Sequence, residues 1–280
     1  MKIRFWGVRG SIPAPGPETN RYGGNTSCVS ITTAKGDLVI IDMGTGLMHL
    51  GNTLMGQAFG KGKGHAAILL SHTHWDHIQG LGFFPPVFIP GNQFTVWGPG
   101  GSPEVLEEIL EGQMDPNFSP LQTLKNLAAT FDVCAITCGQ PFEAEGLRVV
   151  AREHPHGATT ALSFRIQEGN RTFVYASDVG YPESGPPADA IAHYHGADVL
   201  LHDSTYRPDD QVTRRNRGFS SYEDACAAAI AAKVKTLVTF HYDQDYSDDD
   251  VDQIVAHCKE LLAPHGIGVV PAREGDELEI

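Results

Sequence analysis

Short apolar stretches separated by glycine, proline and asparagine open the chain: IRFW at 3–6, SCVSI at 27–31 and LVIID at 38–42. Runs of this length, rich in β-branched and aromatic side chains and bounded by turn formers, predict strands, here with an antiparallel start. AAILL at 66–70 predicts the next strand. It stops at Ser71, where the polar HTHWDHIQG leads through a loop into a short helix. Residues 94–97 predict another strand, and Ser102 followed by Pro103 caps a helix over 103–110. A second helical stretch, LQTLKNLAA, follows Pro120.

Strand patterns return at 131–136, 147–151, 160–166 and 172–175, and again at DVLLHD near Leu201. In the last third, Ser220 or Ser221 precedes an alanine-rich helix with Glu223 and Asp224 placed for capping, and KTLVTF follows as a strand. Ser247 with Asp248, Asp249 and Asp250 suits the positive end of a last helix through Leu262, so these carboxylates need no metal. Strands with following helices occur in both halves, without a Pro/Ser-rich linker or short repeat. The expectation is one layered α/β domain with two sheets over residues 1–280. Residues 82–130, rich in Phe, Pro and Gly before they turn helical, are expected to form an inserted pocket wall or a homodimer contact. Trp97 is expected in the core, while Phe83 and Phe84 are candidates for stacking a base.

Composition narrows the function. The chain has 280 residues, 41% of them hydrophobic and 19% charged, which describes a folded protein. Its 34 acidic and 20 basic residues leave a net charge of −14. That excludes a broad basic surface for long nucleic acid, but not a local positive pocket. The apolar runs fall far short of the ~20 residues that cross a bilayer. The amino terminus reaches Arg4, Arg9 and Pro13 before any apolar stretch of a signal peptide forms, so a cytoplasmic, non-membrane protein is expected. The five cysteines are odd in number and poorly spaced for zinc, and are expected as reduced, mostly buried thiols.

The chemistry concentrates in Ser71-His72-Thr73-His74-Trp75-Asp76-His77. His72 and His74 are two apart, so an extended backbone directs both rings to one side. Asp76 and His77 follow where the chain turns. Neutral imidazoles suit zinc and neighbouring metals, and a carboxylate beside them completes a second site or orients water.

This segment resembles the HxHxDH signature of the metallo-β-lactamase superfamily, and the resemblance runs over essentially the whole chain. GVRGSIPAPG, RYGGNTSC, DMGTG, HPHGAT, YASDVG and HDSTY look like its phosphodiesterase-type branch, with the cyclic-phosphate phosphodiesterases and relatives of the tRNA 3′-processing endonuclease. The resemblance implies a four-layer αββα sandwich of two similar halves, with two divalent metal ions, zinc first and manganese or iron as alternatives, along one edge of the sheets. It assigns His72 and His74 to one metal and Asp76 and His77 to the other. His154 matches the later histidine of the first site, Asp178 the bridging carboxylate and His241 the remaining ligand of the second. His156, two residues from His154, is a candidate for facing the substrate. Asp42, after a strand, is expected to support a ligating histidine without touching metal.

The implied reaction is phosphodiester hydrolysis by a water or hydroxide between the metals, with Asp76, Asp178 and His156 as catalytic candidates. The chain departs from the family where Phe219 replaces the histidine of a GHS motif, and where Tyr242 and Tyr246 stand for common histidines. A phenyl ring transfers no proton, which leaves His156, Tyr242 or a metal-held water for the leaving group. Arg9 and Arg21 are candidates for phosphate contact, or else paired with carboxylates. Arg214, Arg215 and Arg217 form either a solvated loop or a substrate grip. The expected substrate is a small phosphodiester such as a cyclic nucleotide. The rival readings are tRNA 3′ processing, a lactone or thioester hydrolase, and a metal-stabilised binding protein.

Overall fold

The computed structural model describes residues 1–117, 119 and 123–280, and only the backbone of Arg215. The first sheet holds β1 (Lys2–Gly7), β2 (Cys28–Thr32), β3 (Leu38–Ile41), β4 (His65–Leu69), β5 (Gln93–Gly98) and β6 (Thr130–Ala135). The second holds β7 (Pro141–Ala144), β8 (Leu147–His156), β9 (Thr159–Glu168), β10 (Arg171–Ala176), β11 (Val199–Asp203), β12 (Thr236–Phe240) and β13 (Gly268–Pro271). The chain then returns to the first sheet, where β14 (Glu277–Glu279) pairs with β1. The orders are β14-β1-β2-β3-β4-β5-β6 and β13-β12-β11-β10-β9-β8-β7. In each sheet four strands pair antiparallel, ending at β3 or β10, and three more add in parallel.

Alternation along the strands builds the layers. Val39 and Ile41 of β3 point into the core between the sheets, whereas Leu38 and Ile40 point to the outer face. β10 repeats the device, with Phe173 and Tyr175 inward and Val174 and Ala176 outward. Strands buried on both faces read as continuous apolar runs, and each fully buried Ile or Leu contributes about 1.5–3 kcal/mol. The outer face of the first sheet is covered by α1 (Gly46–Met55) and α3 (Pro103–Gly112) through Leu47, Leu50, Leu106 and Leu110. On the second sheet, α4 (Ala188–Tyr194), α6 (Tyr222–Ala232) and α7 (Asp248–Leu262) supply Ala190, Ala229 and Ile254. Two short helices, α2 (Trp75–Ile78) and α5 (Pro208–Arg214), lie in the connections. The result is the expected αββα sandwich.

Local signals account for the helix starts. Ser221 with Asp224 and Ser247 with Asp250 form complete capping boxes, and the Ser102 hydroxyl accepts from Val105 N–H. Arg21 meets Asp248, Asp249 and Asp252 at the start of α7, so that acidic run holds an arginine.

Two expectations change. The helix at 121–129 shrinks to a single 3-10 turn, Leu124–Asn126, because Thr123 caps it and Leu127 is already extended; residues 121 and 122 lie outside the described set. The strand at 147–151 continues to His156, carried by nine residue pairs with β9. That extension decides which histidine reaches the site. The five cysteines are free, with Cys28, Cys226 and Cys258 buried, Cys134 half-buried and Cys138 exposed.

Candidate metal centre

Strand ends and the loops after them bring two groups of side chains together. Within each group the candidate ligand atoms all lie within 4.8 Å of one another: His72, His74 and His156 in one, Asp76, His77, Asp178 and His241 in the other. Asp178, after β10, lies between them. Its carboxylate is 3.2 Å from His77 Nε2 and 3.3 Å from His241 Nε2 on one side, and 3.6 Å from His156 Nε2 and 3.9 Å from His72 Nε2 on the other.

The backbone makes this convergence by leaving ordinary strand geometry. Asp178 and His241 have φ of 61° and 58°, and Ser11 beside them has 65°. Left-handed backbone is uncommon outside glycine, and Asp and His are among the residues that tolerate it. Ser11 N–H donates to Asp76 Oδ2 at 2.8 Å. Gly10 lies flat against the His241 ring, since a Cβ there would be 2.4 Å from Cε1. Gly218, at φ 77°, lets its loop close on the β8–β9 turn, where a Cβ would meet Gly157 N at 1.9 Å.

The donor set fits metal ions. His77 Nδ1 is held by Asp42 Oδ2 at 2.8 Å, His156 Nδ1 by Gly218 O at 2.9 Å, His72 Nδ1 by Ser71 Oγ at 3.1 Å and His241 Nδ1 by Thr205 Oγ1 at 3.1 Å. With the outer nitrogen engaged, each ring presents Nε2 inward, as ligating histidines do. His72 Nε2 and His77 Nε2 are buried with no hydrogen-bond partner among the described residues. Such orphaned nitrogens are costly unless something else binds them. His74 offers the opposite edge, with Nδ1 3.0 Å from His156 Nε2.

Without metal, charge inside the cluster sorts the protons. Burial pushes His72 and His74 down, and neighbouring imidazoles, His77 and His156 respectively, add to the effect. Burial opposes the charged forms of His77 and His241 as well, but the carboxylates of Asp178 and Asp76 outweigh it and hold both rings above the ordinary imidazole range. Burial likewise opposes ionisation of Asp76 and Asp178, yet His77 and His241 keep both well below the usual carboxylate range.

His154 stands outside both groups. On β8 it shares a face with His156, but the two are two positions apart, about 6.8 Å along a strand. Its Nε2 meets Ser177 O at 3.2 Å instead, and burial, with Arg152 adding repulsion, pushes the ring down to about 3. The first group therefore takes His156 where the family pattern points to His154.

The structure also separates the remaining candidates. Asp42 supports from behind: besides His77 it accepts from Ser71 N–H and Oγ and from Tyr175 OH. Phe219 lies 5.0 Å from the His156 ring and 5.3 Å from the His241 ring, lining the cavity with Ser11, Thr73 and Trp75. Tyr242 is fully buried with its hydroxyl bonded to Thr239 O, away from that cavity. Tyr246 OH binds Asp210 and Arg207 N–H. Arg9 is fully buried on the carbonyls of Gly23, Asp243 and Tyr246, and Arg214 pairs with Asp243. Ser11, Gly10, Thr205 and Gly218 escape sequence reasoning because they act through backbone or through another residue's ring.

The paired His/Asp groups are a binuclear metal-binding site, the active-site arrangement of a metal-dependent hydrolase. Among the described residues no helix is long and apolar enough to cross a membrane. The chain is similar to Ribonuclease BN of Salmonella gallinarum (strain 287/91 / NCTC 13346), 26% identical over 260 residues that span 80% of this chain and 84% of that one. Its fold is that of the metallo-beta-lactamase fold protein YhfI from Bacillus subtilis, with TM-score 0.71 and 20% identity over 100% of this chain and 98% of the other. It also matches human tRNase Z, short form, with TM-score 0.68 and 20% identity over 100% of this chain and 99% of the other. The Beta-lactamase superfamily domain profile matches residues 39–242, a span that contains every residue of both groups, and the chain belongs to that superfamily.

Proposed function

We propose that this protein hydrolyses small phosphodiesters at a binuclear centre held by His72, His74 and His156 on one side and Asp76, His77 and His241 on the other. The observation that carries the reading is Asp178, whose two oxygens face imidazoles of both groups. These residues would hold two divalent ions, zinc first for a nitrogen-rich donor set and manganese or iron as alternatives, which would supply Lewis acidity toward phosphate oxygens and lower the pKa of water toward neutral pH.

The chain's own residues hold that centre and shape what enters. Asp42, Ser71, Thr205 and Gly218 O fix ring orientations, and Ser11 N–H fixes Asp76. The cavity over the groups is about 400 Å³, lined among the described residues by Ser11, Thr73, His74, Trp75, Asp76, Asp178 and Phe219. No lysine or arginine is among them, so attraction for a phosphate falls to the metal charge. With Phe219 in place of an acid, His156 turned onto Gly218 O and Tyr242 buried elsewhere, no side chain lining the cavity among the described residues stands ready to protonate a poor leaving group. The site suits diesters whose departing oxygen is stable as an anion.

The test is a parallel assay of bis(p-nitrophenyl) phosphate, cyclic nucleotides and lactones on metal-reconstituted protein and on its Asp178→Ala variant. Metal-dependent turnover of a diester, lost in the variant, is expected. Turnover of lactones alone, or full diesterase activity after metal removal, contradicts the reading. RNA cleavage is the second reading, favoured by the similarity to Ribonuclease BN. Against it stand the net charge of −14 and the engagement of Arg9, Arg21 and Arg214 within the fold.

A further inference from the structure

A large apolar hollow lies beside the metal groups, not over them. It is about 640 Å³ and shares Thr73 and Trp75 with the cavity at the centre. Its walls are Trp75 and Ile78 of α2, Phe83, and Ile109, Gln113 and Met114 at the end of α3. Trp75 stands between His74 and Asp76 in sequence yet is 78% exposed, and Phe83 is 61% exposed. Clustered exposed aromatics are costly in water and mark a binding surface. No lysine or arginine lines this hollow among the described residues. One polar group looks for a partner: Gln113 Nε2 is buried without one among the described residues.

We propose that this hollow receives a flat, uncharged aromatic arm of the substrate, carried on the ester whose phosphate sits at the metal groups. The volume lies within the range of small-molecule pockets, and the Thr73 and Trp75 it shares with the cavity at the centre place an arm beside a phosphate that reaches the ligands. Aromatic rings gain most against Trp75 and Phe83, and an acceptor on the arm meets Gln113. A second phosphate finds no cation there, which excludes a polyanion from this side. The assignment of substrate class rests on the phosphodiesterase reading, whereas the binding of an aromatic group does not.

Two readouts separate them. In metal-stripped protein labelled with nitrogen-15, the indole N–H signal of Trp75, identified with Trp75→Phe, is followed during titration with 2-naphthol. A saturable shift is expected, weakened about tenfold or more by Ile109→Asp. In reconstituted protein, kcat/KM for bis(p-nitrophenyl) phosphate is compared with that for methyl p-nitrophenyl phosphate, which keeps the leaving group and loses the arm. A preference of about tenfold for the diaryl ester is expected, shrinking in Ile109→Asp while methyl ester turnover stays. An unmoved Trp75 signal, or equal affinity in Ile109→Asp, overturns the proposal. So does a Trp75 signal that shifts with protein concentration alone while Ile109→Asp abolishes self-association, because a second copy then fills the hollow. Naphthol binding at Trp75 without any diester turnover supports the pocket and sinks the phosphodiesterase reading instead. Turnover with no preference between the two esters does the reverse.

Discussion

Asp42 follows β3 in the first sheet and Asp178 follows β10 in the second, each where antiparallel pairing gives way to parallel. Both have φ of 61°, and both are buried. Their surroundings differ. Protein groups engage both oxygens of Asp42: Ser71 N–H, Ser71 Oγ, Tyr175 OH and His77 Nδ1. Asp178 accepts from Ser177 Oγ and otherwise faces the inward nitrogens of His72, His77, His156 and His241. One backbone device thus delivers a carboxylate to the same place in each half. The partners around it make one a brace and leave the other open to metal.

The comparison breaks most sharply at Asp178. Asp178→Ala is expected to lower kcat/KM for a phosphodiester by on the order of 10³-fold or more and to reduce bound metal, measured together by kinetics and elemental analysis. Next comes the pair on β8. His156→Ala is expected to cost about 10²-fold in metal affinity, while His154→Ala leaves metal content intact and lowers only stability, by about 1–2 kcal/mol, as read by metal titration and denaturant unfolding. Asp42→Asn acts at one remove, through His77 and through Ser71 on His72, so a loss of about 10–100-fold in metal affinity or activity is expected, with both metals still able to bind at high concentration.

The smallest effect is set by protons. His77 and His241 are raised in the metal-free protein, so their interactions with the carboxylates stabilise it fully below the ordinary imidazole pKa of ~6.5 and fade as pH rises through the raised values. Metal binding must displace those protons and strengthens in the same direction. The rise in melting temperature on adding zinc is therefore expected to grow as pH increases from about 6 to about 8. Asp76 and Asp178 are depressed, so their contribution is lost only in acid and does not mask the trend. A zinc-induced shift that is flat or declining with pH contradicts this protonation scheme.

Much of this was legible in the residue pattern. The double-faced burial of β3, β4, β10 and β11 reads directly as short apolar runs, and the serine caps of α3, α6 and α7 lie where their helices begin. The cluster at 72–77 is local, so spacing alone brings its side chains together. What escaped has physical causes. The helix α1 carries Gly46 and Gly51 against neighbouring backbone and Phe84, a packing that weakens its helical signal. The exchange of His154 for His156 follows from strand length. His-Pro-His-Gly reads as a loop, but pairing with β9 keeps it extended, and only the residue at the strand's end reaches the rim. Residues 82–130 are expected from the sequence as a pocket wall or a dimer contact, and Trp75, which lines both the hollow and the cavity at the metal groups, lies outside that span.

The most direct measurement is a crystal structure of the zinc-loaded protein with anomalous scattering recorded at the zinc edge. The account predicts two peaks flanking Asp178, one bound by His72, His74 and His156 and the other by Asp76, His77 and His241. A single peak, or a peak ligated by His154 with His156 turned away, contradicts it.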